Sequence, residues 1–209
     1  KKGIYKAASL SERAAADLQA FSEEMITRYV EIPARELRKV DKNHLNLGMR
    51  YAYITDKSLL CGSENFDVFS INSYQITPLE PVEQVSGWLD KPVMVGEFHQ
   101  GALDKGLTAH GIRGVTTQKE RGCAYRYYLE QGLTNPYFLG AHYFQLNDQS
   151  CLGRFDGENY QIGLVDVCMQ EYADMTQAMR ECHEGMYRVA AGEQAAWDRV
   201  PEDIEPIHY

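Results

Sequence analysis

The stretch Pro92-Val93-Met94-Val95-Gly96-Glu97-Phe98 decides the fold class of this chain. Its apolar body becomes polar only at the C-terminal end, which is typical of a buried strand in a parallel sheet. Similar runs at 67–74 and 137–145 flank it in sequence, and stretches with helical periodicity separate the three runs. Strands that alternate with helices predict an α/β protein with a parallel sheet.

Periodicity and capping patterns extend this alternation over most of the chain. A long helix is expected over 9–40, opened by a capping box that starts at Ser9 and kinked at Pro33. The other predicted elements are a strand at 44–52, a helical turn within 56–66, a helix capped by Thr77 with Pro78 in its first position, a helix capped by Thr117, and a last helix that ends near Gly192.

The order of these elements matches half of a (β/α)8 TIM barrel. A leading helix precedes four strand–helix units, whereas a complete barrel has eight units and typically about 250 residues. We therefore expect residues 1–192 to form half of a barrel, followed by an acidic tail over 193–209 that docks loosely. Because an open sheet leaves unpaired edges, the chain is expected to associate with the other half of the barrel or with a second copy of itself.

Composition and charge exclude several classes of protein. The 209 residues are 44% hydrophobic and 24% charged, as in ordinary globular domains, which argues against disorder. A net charge of −9 would repel a phosphate backbone, so no nucleic-acid partner is expected. No apolar run approaches the roughly 18 residues of a membrane-spanning helix, so no membrane partner is expected either.

The sequence predicts no metal site and no cofactor. His99, His110 and His142 match no spacing that is typical of metal ligands. The cysteines are odd in number and include no C-x-x-C pair, so we expect them to be reduced and buried or half-buried. They are Cys61, Cys123, Cys151, Cys168 and Cys182.

Glu97 is the strongest candidate for a catalytic side chain. It lies at the end of a predicted strand, and Gly96 before it lets other groups approach closely. Asn72 and Tyr74 close the preceding strand, and a Tyr hydroxyl one strand away can donate a hydrogen bond to the carboxylate and orient it. The alternatives are a solvated or ion-paired carboxylate at Glu97 and a rim aromatic at Tyr74 that packs on the next helix.

The end of the strand predicted at 137–145 combines aromatic rings with amide and carboxylate groups. This combination suits sugars, because a pyranose packs its C–H face on an aromatic ring while its hydroxyls need hydrogen-bonding partners. The loop 153–160 repeats the combination, and a solvated turn is its alternative. The residues concerned are His142, Tyr143, Gln145, Asp148, Arg154 and Glu158.

Three sequence blocks resemble the C-terminal half of agarase-type glycoside hydrolases. They read GEFHQGALDKG at 96–106, GAHYFQLNDQ at 140–149 and GRFDGENYQIG at 153–163, in that order. The segment NHLNLGMR at 43–50 is similar to the family's fifth strand. On these blocks, which cover nearly the whole chain, the sequence resembles glycoside hydrolase family 50 in the large clan A of retaining (β/α)8 enzymes.

This resemblance implies strands five to eight of the barrel of a retaining β-glycoside hydrolase. The expected substrate is a galactose-containing, agarose-like polysaccharide or oligosaccharide. Glu97 would be the nucleophile on strand seven, and Tyr74 would be its partner on strand six. By the same resemblance, the sugar site is lined by Arg50, Asn72, His99, His142, Gln145 and Asp148.

Such an enzyme needs a second carboxyl group, which acts as acid and base about 5–5.5 Å from the nucleophile. In this clan the acid/base Glu follows an Asn at the end of strand four, and the order Asn-Glu does not occur in this sequence. We therefore expect the acid/base residue to lie outside these 209 residues and the isolated chain to be inactive.

Two alternatives stay open at this point. One is a β-galactosidase-like member of the same clan, favoured by Tyr143 where the family usually has Trp and by Gln100 where an aromatic is expected. The other is a non-catalytic module whose aromatic rim only binds carbohydrate. Aryl glycosides would separate the two enzymes, and hydrolysis would separate both of them from the module.

Overall fold

Helices alternate with short strands along residues 10–205, the part of the chain that the computed structural model describes. The helices are α1 (Glu12–Val40), α2 (Leu79–Leu89), α3 (Gln118–Gly132) and α4 (Ala173–Ala190). The strands are β1 (Phe69–Asn72), β2 (Val93–Phe98), β3 (Gly101–Ala102), β4 (Gly114–Val115), β5 (Phe138–Tyr143) and β6 (Asp203–Ile204). The predicted α/β class is confirmed.

The chain divides into two compact units, of which one ends at Phe69 and the other begins at Ser70, within β1. The first contains α1, whose N-cap is Ser11; its hydroxyl oxygen accepts a hydrogen bond from the Ala14 N–H at 3.3 Å. The predicted start at Ser9 lies outside the described residues. The helix continues through Pro33, and two 3₁₀ turns, Lys57–Leu60 and Ser63–Asn65, follow it.

The main sheet has the strand order β1-β2-β5. Its strands confirm three of the four that the sequence predicts. β2 and β5 are parallel, with Val95 opposite Ala141 and Phe98 opposite Tyr143. Phe98 is buried and stacks on Tyr128 of α3 with 4.2 Å between the ring centroids, so the core lies between this sheet and α3.

The strand predicted at 44–52 is wrong, because this segment is not a strand in the structure. Gly48 has a φ of +78°, which interrupts an extended backbone. Asn46 also bonds outside any regular ladder: its N–H donates to the Asp67 carboxylate at 2.7 Å, and its side-chain oxygen accepts from the Gly48 N–H at 3.0 Å. Hydrogen bonds to side chains therefore replace strand pairing around Asn46.

Of the predicted helix caps in the second unit, one is confirmed and one is wrong. The Thr117 hydroxyl oxygen accepts a hydrogen bond from the Glu120 N–H at 3.2 Å, as the capping box predicts. At α2 the N-cap is Pro78 rather than Thr77, and it makes no side-chain capping bond. The helix thus begins at Leu79, one residue later than predicted.

The tail is held by defined contacts as far as β6, and not loosely as its composition suggested. β6 pairs antiparallel with β4, which pairs parallel with β3. The Trp197 N–H donates to the Glu130 carboxylate at 2.8 Å, and the Arg126 guanidinium lies 4.1 Å from the centroid of the Trp197 ring. These contacts attach the tail to α3.

Five free cysteines are present among the described residues, and two of them differ from expectation. Cys123 and Cys182 are buried and Cys61 is half-buried, whereas Cys151 and Cys168 are exposed because they lie in the long loop between β5 and α4. Over residues 10–205, none of the helices is long and apolar enough to cross a membrane.

Candidate active site

The C-terminal ends of β1 and β2 bring Tyr74 and Glu97 together. The Tyr74 hydroxyl donates a hydrogen bond to Oε1 of Glu97. The backbones meet as well, since the Ser73 N–H donates to the Glu97 carbonyl at 3.0 Å and the Tyr128 hydroxyl of α3 donates to the Ser73 carbonyl at 3.0 Å. Both side chains of the pair are half-buried. The predicted orientation of Glu97 by Tyr74 is present in the structure.

Gly96 leaves room for the side chains of the neighbouring strand β1. A Cβ atom at Gly96 would lie 2.6 Å from the Ser70 hydroxyl oxygen, so the Ser70 side chain would have to move. The Asn72 side-chain oxygen would lie 3.7 Å from the same atom. Asn72 therefore faces the backbone immediately before Glu97, so Asn72, Tyr74 and Glu97 form one group at the strand ends.

His99 completes this group as a neutral, buried ring. It is 1% exposed, and its ring centroid lies 4.7 Å from that of Tyr74 in an edge-on arrangement. Burial, the charge of Arg121 and the proximity of His110 lower the pKa of His99 to about 3. Since its Nε2 accepts a hydrogen bond from the Ile112 N–H at 3.0 Å, the ring proton is on Nδ1. His99 is thus suited to packing against Tyr74 and not to donating a proton near neutral pH.

Acid should destabilise the folded protein through His99. The unfolded chain protonates this ring near its ordinary pKa of 6.5, while the folded protein keeps it neutral down to about pH 3. His99 therefore does not lower the free energy of unfolding above pH 6.5. Between pH 6.5 and about 3 it lowers this free energy by at most about 1.4 kcal/mol for each pH unit of acidification.

In His99→Gln this dependence should disappear, and urea unfolding at pH 7, 6 and 5 measures it. His44→Gln, at an exposed position, serves as the control. Equal pH slopes for the wild type and His99→Gln would show that His99 is not held neutral by the fold.

Arg121 is the main residue of this region that sequence reasoning missed. Its guanidinium is 0% exposed, and no carboxylate among residues 10–205 forms an ion pair with it. Its N–H groups instead donate at 2.7–3.0 Å to oxygen atoms of Gln100, Gln118, Tyr143, Ile162 and Gly163. One α3 side chain therefore ties the ends of β2 and β5 to a distant loop. Nothing in the local sequence around Arg121 signals this role.

The polar atoms of Tyr143 and Asp148, two residues that the sequence analysis placed at the sugar site, bond to other groups of the protein. The Tyr143 hydroxyl donates to the Gln100 carbonyl at 2.8 Å and accepts from Arg121. Asp148 is buried, and its carboxylate accepts hydrogen bonds from the Gly163 N–H at 2.7 Å and the Tyr172 hydroxyl at 2.7 Å. Burial and this carboxylate raise the pKa of Tyr172. The oxygen atoms of both side chains therefore have partners within the protein.

The remaining predicted residues are distributed over the surface. His142 is exposed on β5, and the Gln145 amide donates to the Asn147 carbonyl at 2.9 Å. Arg154 forms an ion pair with Glu158 at 3.1 Å in the loop after β5. Arg50 is exposed and belongs to the other compact unit. Within the described residues, no three His, Cys, Asp or Glu side chains are arranged to hold a metal ion.

The known proteins that are similar to this chain in sequence and structure include β-agarases. No family model matches the chain. β-Agarase B of Vibrio sp. (strain JT0107) is 34% identical over 186 residues, which cover 85% of this chain and 19% of the relative. β-Agarase A of the same strain is 35% identical over 181 residues, which cover 82% of this chain and 18% of that relative. A solved exo-β-agarase structure matches with a TM-score of 0.82 and 33% identity, over 90% of this chain and 26% of that one. The chain thus spans about a fifth of the length of these curated relatives.

Proposed function

Because this chain is homologous to the β-agarases of glycoside hydrolase family 50, we propose that it carries the nucleophile of a retaining glycoside hydrolase that acts on agarose or a related galactan. The observation that carries the proposal is the hydrogen bond from Tyr74 to Glu97 at neighbouring strand ends. A carboxylate held in this way at the C-terminal end of a sheet is suited to attack a sugar ring.

In the proposed reaction, a carboxylate oxygen of Glu97 attacks the anomeric carbon. The bond to the leaving oxygen breaks as an acid residue protonates that oxygen, and a glycosyl ester of Glu97 remains. The same acid residue, now a base, then takes a proton from water, whose oxygen attacks the anomeric carbon and releases the Glu97 carboxylate. The configuration of the sugar is retained because two displacements occur. Tyr74 holds the nucleophile in position in both steps.

We infer that the acid/base residue comes from outside these 209 residues. The order Asn-Glu is absent from the sequence, and about four fifths of the length of the curated relatives has no counterpart in this chain. The order β1-β2-β5, with β2 and β5 parallel, supports the interpretation of these strands as strands six to eight of a (β/α)8 barrel.

An apolar face on α1 supports association with further protein. Leu18, Phe21, Met25, Tyr29 and Ile32 are exposed and follow one another at steps of three and four residues. Such a stripe is typical of a helix that packs against a partner. We propose that it contacts barrel residues of the kind that the relatives have and that this chain lacks.

The β-galactosidase-like alternative loses its main support. Tyr143 directs its hydroxyl into the network of Arg121 and Gln100, so its presence in place of Trp gives no separate reason for another substrate. Gln100 is likewise buried, and its backbone carbonyl accepts hydrogen bonds from the Arg121 guanidinium and the Tyr143 hydroxyl. The agarose-type galactan is therefore the substrate that we propose.

Covalent labelling tests the proposed nucleophile directly. In an enzyme that contains both carboxyl groups, an activated 2-deoxy-2-fluoro-β-galactoside should leave a long-lived sugar ester on the peptide that carries Glu97, detected by mass spectrometry. The first product of hydrolysis should also have the β configuration by proton NMR. A label on another residue, or an α product, would refute the assignment.

A further inference from the structure

The loop that follows β5 displays two apolar side chains to solvent. Phe155 is 97% exposed and Leu152 is 94% exposed, although the residues around them are polar. Exposing an aromatic ring to this extent forgoes the stabilisation that its burial would give, about 1.5–3 kcal/mol. A ring at such a position calls for a ligand or a partner that covers it.

Hydrogen bonds and an ion pair within the loop hold the backbone on both sides of Phe155 in a defined conformation. The Arg154 N–H donates to the Glu158 carbonyl at 2.7 Å, and the Gly157 N–H donates to the Arg154 carbonyl at 3.0 Å. The Arg154 guanidinium also pairs with Asp156 at 2.9 Å and lies 5.7 Å from the centroid of the Phe155 ring. These contacts close the loop on itself on both sides of the aromatic residue.

The base of the loop rests on the candidate active site. The amide of the buried Gln149 donates to the Glu158 carboxylate at 2.8 Å, and its oxygen accepts from the Tyr160 N–H at 2.8 Å. The Tyr160 ring lies edge-on to His99, with 6.1 Å between the centroids. A continuous series of contacts thus runs from His99 through Tyr160 and Gln149 to the tip of the loop.

We propose that Phe155 is a stacking platform for a galactose unit of a galactan chain, at a position other than the unit attacked by Glu97. The inference rests on the proposed function and adds a binding position to it. One exposed ring suits a sugar, whose C–H face covers an area of this size, while the ionic groups beside it can reach the sugar hydroxyls. A stable protein interface would need about 800 Å² from each partner, far more than two side chains offer.

Binding of galactan by the 209-residue chain tests the platform without any turnover. In native gel electrophoresis with soluble agarose in the matrix, the wild-type chain should be retarded, and Phe155→Ala should bind roughly 3- to 10-fold more weakly. Phe155→Trp should restore the retardation. Leu152→Ala is the matched control, because it removes an equally exposed apolar side chain from the same loop.

The outcomes of this experiment test only the proposed stacking of a sugar on Phe155. Equal retardation of Phe155→Ala and the wild type, or no retardation of the wild type, would overturn the proposal. A change in oligomeric state of Phe155→Ala with unchanged retardation would assign the ring to a protein contact instead. Glu184→Gln, at an exposed position on α4, should bind as the wild type does. Because the measurement involves no turnover, a failure of the nucleophile assignment would leave it unaffected.

Discussion

Glu97→Gln should abolish hydrolysis of agarose in an enzyme that supplies the acid/base residue. Glutamine keeps the size of the side chain and can still accept the hydrogen bond from Tyr74, but its amide cannot form the glycosyl ester. We expect kcat/KM to fall by about 10³-fold or more while affinity for the galactan is retained. Reducing-sugar assays measure the first quantity and native gel retardation measures the second.

Two further variants sharpen the interpretation of this result. Tyr74→Phe removes only the hydrogen bond to the carboxylate and should lower kcat by about 10- to 100-fold, as expected for a bond to a charged group. Glu184→Gln, at an exposed position on α4, should behave as the wild type. Turnover by Glu97→Gln at the rate of Glu184→Gln would exclude Glu97 as the nucleophile.

Arg121→Met should cause the largest loss of stability of any single substitution discussed for this chain. It removes the Arg121 donor from five oxygen atoms in or beside the core, of which the Gln100 carbonyl keeps a second donor in the Tyr143 hydroxyl. Since each unsatisfied buried acceptor costs about 1–3 kcal/mol, we expect the free energy of unfolding to fall by about 3 kcal/mol or more. The corresponding drop in Tm is about 6–12 °C, measurable by circular dichroism.

A matched arginine and a conservative change keep this prediction testable. Arg180 is exposed on α4 and pairs with Glu171, so Arg180→Met should cost less than about 1 kcal/mol. If Arg121→Met does not fold, Arg121→Lys should fold with an intermediate stability, because an ammonium group cannot reach all five oxygens. Equal stability of Arg121→Met and Arg180→Met would show that the network contributes nothing.

The regular elements of this chain could be predicted from the sequence because their signals are local. A continuous apolar run predicts a strand at β2, and the box at Thr117 predicts the start of α3, where its hydroxyl does cap the helix. The pairing of Glu97 with Tyr74 was also predictable, since the ends of neighbouring strands meet at one edge of a sheet. In these cases the information lies within a few residues or in a general rule of topology.

Local signals failed where distant residues compete for the same polar groups. The segment around Gly48 has a strand-like composition, yet Asn46 bonds to Asp67 and a left-handed glycine interrupts the run. The sequence also contained no sign that the oxygen atoms of Tyr143 and Asp148 bond within the protein. Sequence spacing shows which polar groups lie near a strand end, but it does not show which of them already have partners.

The segment order, the α/β class and the candidate nucleophile therefore follow from residue pattern and family resemblance. The burial of Arg121, the neutral state of His99 and the bracing of the loop at Phe155 follow from three-dimensional contacts. The physical reason is the distance along the sequence between the groups that interact. Helix and strand preferences depend on neighbours a few residues away, whereas hydrogen-bond partners and desolvation depend on groups that folding brings together from 13 to 42 residues apart.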